Sequence, residues 1–512
     1  MAEIISIILI VAVMGIVIGL ITTEKMNRAV AALSGAIITI FIMYFIEGKQ
    51  FISIVGYFIG ASEDPAHPNY LSGDWGNLHA ILLILGMMII IQVAQSSGLF
   101  QYIAFNLLKM TGRSSIRLFL TITMLGIVLS AVLNSVMAIM ILIPLVAMIG
   151  RILNIDAKPY IITLAITVRL GSPFFTISSV ENVLIAASEN LDFLEFFLIV
   201  GIPSFLLIFP TGLFFYFFFR KKLQNPRSGI EILKEFDTWS FIPNKRLFYK
   251  AMIVFLVVLV CFFVIPSEIV PPDIIALTGG VIMLVICRVN VNDIIAKLDF
   301  QLLFLLAGIF IMTGALEDVG LLEVISNGFN AMSGGNILAI TLIMLWIPGY
   351  ITGFSDALAI TKIMLPVVDQ LTASLIMERR FVFNSLCYAV NLGDNLTAMG
   401  DNVVALNVAD QVKNSIKVKE LTVPGFIVVN LQFFILTIYF CFIIEPWNNW
   451  VIGVTLIVIV AGIIGVTLLV RYFIHKKLHV RVRDMLKLAK NPDFKFSRKP
   501  GKPETDIDES EE

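Results

Sequence analysis

The chain has 512 residues, of which 58% are hydrophobic and only 14% charged, with a formal net charge of −1. Soluble domains average about 25% charged residues, so this composition excludes an ordinary soluble protein and fits an integral membrane protein. The near-neutral balance, without a basic stripe, offers nothing to nucleic acid; the lipid bilayer is the partner it implies.

Apolar runs long enough to cross ~30 Å of hydrocarbon predict spans at 3–21, 29–46 and 79–96, a broken pair at 116–150, a broken span at 159–188 and a span at 194–219. After a basic linker they resume at 249–266, 272–288 and 301–316, with a broken pair at 337–371, a broken span at 383–410, and spans at 422–444 and 450–473. Glu3 precedes the first run and no cleavage signal follows it, which reads as a retained span. A short amphipathic helix precedes each broken pair, with Leu99, Phe100, Ile103 and Leu107 in the first and Leu321, Leu322, Ile325 and Phe329 in the second on one apolar face. Cys261, Cys287, Cys387 and Cys441 lack metal or redox spacing and read as free, buried small hydrophobes.

Charge alternates between the loops. Lys25, Arg28, Lys109, Arg151, the 220–250 loop and Lys413 to Lys419 are basic, whereas Glu63, Asp74, Glu189, Asp192, Glu268, Glu317 and Asp318 lie in the complementary loops. The positive-inside rule then places the N-terminus outside and the C-terminus in the cytoplasm of a multi-pass cell-membrane protein, with Arg379 and Arg380 as the exception. The expected organisation is a first repeat at 1–219 with hairpin 116–150, a cytoplasmic linker at 220–250, a second repeat at 251–473 with hairpin 337–371, and a partly disordered cytoplasmic tail at 474–512.

The repeat rests on an offset of 222 residues, which places Gly86 on Gly308, Gly98 on Gly320, Asn134 on Asp356, Pro144 on Pro366 and Gly171 on Gly393. Paired, Gly/Pro-interrupted apolar segments in two halves point to the binding site of a secondary transporter. With each broken pair returning to the side it entered, the two hairpins open to opposite faces, so the repeat is inverted and the fold is an all-α membrane protein.

The polar groups inside the breaks are the candidate site. Asn134 and Ser135 at one hairpin tip, and Ser355 and Asp356 at the other, can serve a coupling cation together with Lys362 and Asp401. Arg169, Gly171, Ser172 and Asn182, with Gly393, Asp394, Asn395 and Thr397, can serve an anion through a cation and through half-helix N-termini. A charge at mid-membrane is costly, so Arg169, Glu181, Asp356, Lys362, Asp394 and Asp401 should face the interior. The expected partner of Lys362 is Asp356.

The run Gly308 to Leu322, the segment Gly353-Phe-Ser-Asp356 through Pro366, and Asn391 to Gly400 resemble the arsenite permease, sodium–proton antiporter D and P protein branch of the ion transporter superfamily. That superfamily also holds the citrate transporters and the divalent anion–sodium symporters. The resemblance implies scaffold helices plus a core of one hairpin and one unwound helix per repeat, an elevator-type movement, and a homodimer. Arg169 stands where arsenite-permease-like members carry Asn, and Lys362 stands at a position normally neutral, which favours proton coupling or exchange.

The expected function is a secondary active transporter of a small anion, organic or inorganic, coupled to H⁺ or Na⁺. A Na⁺/H⁺ antiporter is the rival reading. A membrane-embedded enzyme is the remote one, since His67, His79, His475 and His479 form no HExxH-type site. No cofactor is implied, and no metal beyond Na⁺.

Overall fold

In lipid every backbone N–H and C=O must be satisfied within the protein, so apolar segments of this length fold as helices. A computed structural model of the chain describes residues 2–23, 25–64, 67–72, 75–109, 114–223, 235, 237–373 and 379–444. The expected span 450–473, the tail 474–512 and residues 224–234 and 236 of the linker lie outside the described residues. Among the latter, nine helices are long and apolar enough to cross a membrane. The count is ten if Leu321–Ser333 and Ile337–Thr352, bent by 120°, are one span.

The lateral faces have the polarity that lipid requires. On helix Arg28–Phe45 the small residues Ala29, Ala32, Gly35 and Ala36 are buried, whereas Ile37, Ile38, Phe41 and Phe45 are exposed. Without water, close approach of small residues drives helix packing, and large apolar groups turn outward. Helix Lys245–Val264 likewise exposes Ile253, Leu256, Val257, Val260 and Val264, one stripe at helical spacing.

Packing recurs between the halves. Helix Gly76–Ser96 packs on Pro272–Cys287 where Gly86 meets the Ala276 backbone, and helix Phe300–Asp318 packs on Arg28–Phe45 where Gly308 meets the Ala32 backbone. A Cβ on Gly86 would lie 2.5 Å from the Ala276 carbonyl carbon, and one on Gly308 would lie 2.6 Å from that of Ala32, so both glycines are required for contact. The first hairpin has arms Ser115–Val132 and Ser135–Ile152, and the second has arms Ile337–Thr352 and Ala357–Thr372. Each hairpin packs on the broken helix of its own half, and its second arm packs on the post-break helix of the other half.

Two expectations need correction. Helix Phe51–Ile59 and an antiparallel ribbon pairing Ser62–Asp64 with His67–Ser72 occupy a stretch read as loop. Cys261 is only half-buried; the other three cysteines are buried, and none of the four is in a disulfide. The expected short helix is present at Leu99–Lys109; it buries Leu99, Phe100, Ala104, Phe105 and Leu108 and exposes Ile103 and Leu107. Arg379, the exception to the charge pattern, is ion-paired to both Glu189 and Asp369.

Candidate functional site

Each hairpin turns on a side chain that caps its second arm. The first arm ends at Val132, Leu133 is extended, and the Asn134 side chain accepts the Met137 N–H at 2.8 Å. In the second, the Asp356 carboxylate accepts the N–H groups of Leu358 at 3.0 Å and Ala359 at 3.3 Å. A helix N-terminus carries orphan donors and a positive dipole end, which Asn and Asp satisfy best. Ser135 is buried at the first tip, and the buried Ser355 Oγ at the second has no hydrogen-bond partner among the described residues.

The broken helices are built alike. Lys158–Gly171 gives way to two 3₁₀ turns, Ser172–Phe174 and Thr176–Ser178, before Val180–Ser188. Arg379–Gly393 gives way to the 3₁₀ turn Asp394–Leu396 before Asp401–Gln411. Gly171 and Gly393 lie against the hairpin of their own half, at the carbonyls of Ile127 and Gly349 respectively. Those carbonyl-bearing residues are themselves 222 positions apart. Both glycines, expected among the ligands, are thus packed on backbone.

An asparagine braces each break. Asn182 Nδ2 donates to the carbonyls of Ser172 at 2.7 Å and Phe175 at 2.9 Å; Asn402 Nδ2 donates to those of Asp394 at 3.2 Å and Thr397 at 2.8 Å. These buried amides satisfy carbonyls that the broken helix leaves without a partner. A hydroxyl then ties each break to its hairpin, Ser178 to the Ala131 carbonyl and Thr397 to that of Gly353. Asn402 was not singled out by the sequence reading as a ligand or brace. Its signal was an Asn eight residues after Asp394, as Asn182 stands ten after Ser172.

The two breaks meet at a buried ion cluster. Arg169 pairs with Asp394 and, at 2.7 Å, with Asp401, so one guanidinium joins the first broken helix to both sides of the second break. The side chains of Arg169 and Asp394 are 7% and 6% exposed, and that of Asp401 is 19% exposed. Glu181 and Asp356 add negative charge at longer range, Glu181 acting on Arg169 and Asp356 on Asp394. The reciprocal contact is Asn391, which donates to Asn182 Oδ1 at 2.7 Å; Asn395 donates to the Ile166 carbonyl at 3.0 Å. Arg169 Nε, Ser172 Oγ, Thr176 Oγ1, Asn391 Oδ1 and Asn395 Oδ1 are buried and have no hydrogen-bond partner among the described residues. Such groups cost free energy in a dry interior unless a ligand or water meets them.

Lys362 does not pair with Asp356. Its Nζ donates to Asn77 Oδ1 at 2.7 Å and lies 5.1 Å from the centre of the Phe310 ring. Six residues along a helix is a rotation of about 600°, which leaves the two positions on faces roughly 120° apart. Lys362 therefore faces the helices Gly76–Ser96 and Phe300–Asp318, while Asp356 caps the turn below. It lines a cavity of about 750 Å³ to which Arg169, Asp394, Asp401 and the hairpin tips do not contribute.

Comparison with known proteins agrees with this architecture. The solved structure of the Alcanivorax borkumensis YdaH transporter superposes with a TM-score of 0.54 at 14% identity, covering 81% of this chain and 98% of that one. That of Neisseria gonorrhoeae MtrF superposes with a TM-score of 0.51 at 14% identity, covering 80% and 94%. In sequence, the 46 kDa membrane protein of Mycobacterium leprae is 25% identical over 425 residues, 82% of this chain and 95% of the relative. The P protein of Sus scrofa is 21% identical over 420 residues, 66% of this chain and 50% of the relative. The profile described as "Citrate transporter" matches residues 18–386. The chain is therefore a multi-pass membrane transporter and belongs to the citrate transporter family.

Proposed function

We propose that the protein carries a small anion, an organic acid such as citrate or an inorganic oxyanion, across the cell membrane by coupling it to H⁺ or Na⁺. The observation that supports this best is the buried cluster of Arg169 with Asp394 and Asp401, where two carboxylates share one guanidinium. A local charge of −1 in a dry interior favours the uptake of one further positive charge, either H⁺ or Na⁺. The unpartnered Ser172, Asn391 and Asn395 atoms and Arg169 Nε supply polar groups for the substrate beside it. Asn182 and Thr397 hold the breaks open, and Gly171 and Gly393 set their distance from the hairpins. Asn134, Ser135, Ser355 and Asp356 at the hairpin tips complete the cation side.

The transport unit in this reading is two inverted repeats, 1–219 and 251–473, whose hairpins and broken helices move as a core against the scaffold, in a homodimer with the N-terminus outside. Alternating access suits paired breaks at the repeat interface. The acid excess also suits a Na⁺/H⁺ antiporter. A thermal-shift series of the purified protein with citrate, succinate, sulfate, arsenite, Na⁺ and Li⁺ separates the two. A ligand present at ~100 Kd stabilises the folded state by about 2.7 kcal/mol. Stabilisation by an anion supports the proposal. Stabilisation by Na⁺ alone, with cation-dependent pH changes in vesicles holding no organic substrate, supports the antiporter.

A further inference from the structure

We propose that the cavity beside Lys362 is a second anion site, a vestibule that takes a small carboxylate or oxyanion separately from the crossing of the broken helices. The proposal rests on the anion reading above for its ligand class. The cavity has a volume of about 750 Å³, within the range of ligand pockets. It opens between two groups of elements: Asn77, Tyr57, Phe310 and Gly314 on one wall, and Lys362 and Leu365 of the second hairpin on the other.

The argument turns on which charges in this cavity are already answered. Lys49 holds Asp318 at 2.7 Å, and the Tyr57 hydroxyl donates to the same carboxylate at 3.0 Å. Asp369 is paired with Arg379. Lys362 differs from these: among the described residues no carboxylate lies within 4.0 Å of its ammonium, whose partners are the neutral Asn77 amide and the Phe310 ring. The amide is itself committed, since Asn77 Nδ2 donates to the Tyr57 carbonyl at 2.9 Å.

A largely enclosed ammonium whose direct contacts are neutral, with Glu317 and Asp369 acting on it only at longer range, is incompletely compensated for its lost hydration. A charge-assisted bond to an anion is roughly twice as strong as one to an amide, so an incoming carboxylate or oxyanion displaces the Asn77 contact. The aromatic face stays behind the ammonium and keeps it aimed into the cavity. Glu317, exposed at the rim and with no cation within 4.0 Å among the described residues, shares the field of Lys362, opposes the anion and tunes its affinity downward. Because Asn77 and Lys362 belong to opposite walls, anion capture also releases a tie between them.

The test uses the full chain with citrate, sulfate and inorganic phosphate as probes, in calorimetric binding and in proteoliposome uptake. Lys362→Gln should raise both Kd and KM by about tenfold to a hundredfold, the worth of a hydrogen bond to a charged group, with kcat little changed. Lys362→Arg should stay near wild type, and Glu317→Gln should bind the anion more tightly. Lys362→Gln with unaltered Kd, or a loss confined to kcat, would overturn the vestibule. So would wild-type protein that binds none of the three anions. If Lys362→Gln does not fold, a Glu317→Gln protein with unchanged affinity overturns it by itself. Wild-type protein that binds an anion through Lys362 and transports none would refute the transport proposal and leave the vestibule standing.

Discussion

Replacing Arg169 with glutamine withdraws the guanidinium that answers Asp394 and Asp401 together. Asp394 is then left almost fully enclosed, whereas Asp401 keeps some access to water, with side chains 6% and 19% exposed. Breaking one buried ion pair by removing a partner costs about 3–5 kcal/mol. The Arg169→Gln protein should fall at the upper end of that range, because two acids lose their partner and the second is only partly rescued by solvent. Asp394→Asn and Asp401→Asn each leave one pair in place, and should cost about 1–3 kcal/mol, with Asp401→Asn the milder. Combining Arg169→Gln with Asp394→Asn removes one stranded charge and should recover about 1–3 kcal/mol relative to the sum of the singles. Melting in detergent ranks them: wild type, Asp401→Asn, Asp394→Asn, then Arg169→Gln and the double variant close together. An Arg169→Gln protein that melts with wild type, or a double variant equal to the sum of the singles, would refute the buried cluster.

Lys362→Met and Asp356→Asn should be additive in stability within about 0.5 kcal/mol, because the two side chains do not touch; a coupling above ~1 kcal/mol in a double-mutant cycle would restore the salt bridge expected from sequence. Gly393→Ala places a Cβ at 2.9–3.0 Å from backbone carbon atoms of Gly349, so it should destabilise by about 1–3 kcal/mol in a thermal melt, and an unshifted melt would contradict the close approach. Asn402→Ala frees the carbonyls of Asp394 and Thr397, and should lower stability by about 1–3 kcal/mol and weaken ligand-induced stabilisation; Asn182→Ala should do the same in the other half, and an effect in one half alone would refute the equivalence of the two braces.

Breaks proved more legible than partners. Gly171, Gly393, Asn134 and Asp356 stand out because a glycine or polar side chain inside an apolar run has few reasons to be there, and the structure puts all four at helix interruptions. The offset of 222 residues predicted which of them correspond, and carbonyls at Ile127 and Gly349 keep that offset. Partners were harder because the decisive contacts cross between the halves. Arg169 and Asp394 are 225 residues apart, and no local spacing relates them. The sequence reading assigned Arg169 to the anion and Asp401 to the cation, and the geometry joins the two residues in one cluster. Lys362 was matched to the nearest acid along the chain, yet helical rotation turned it toward Asn77, 285 residues away. Helix Phe51–Ile59 was missed because nine residues flanked by polar loops fall short of a span.

The central claim is that the cluster at the crossing couples anion movement to a cation. It is tested most directly by uptake of labelled citrate, succinate, sulfate and arsenite into proteoliposomes under an imposed H⁺ or Na⁺ gradient, comparing wild type with Asp401→Asn. The account predicts that wild type accumulates one of these anions against its gradient only when a cation gradient is present, and that Asp401→Asn binds the anion but no longer accumulates it. Accumulation by Asp401→Asn at the wild-type level, or wild-type uptake that ignores both gradients, would contradict it.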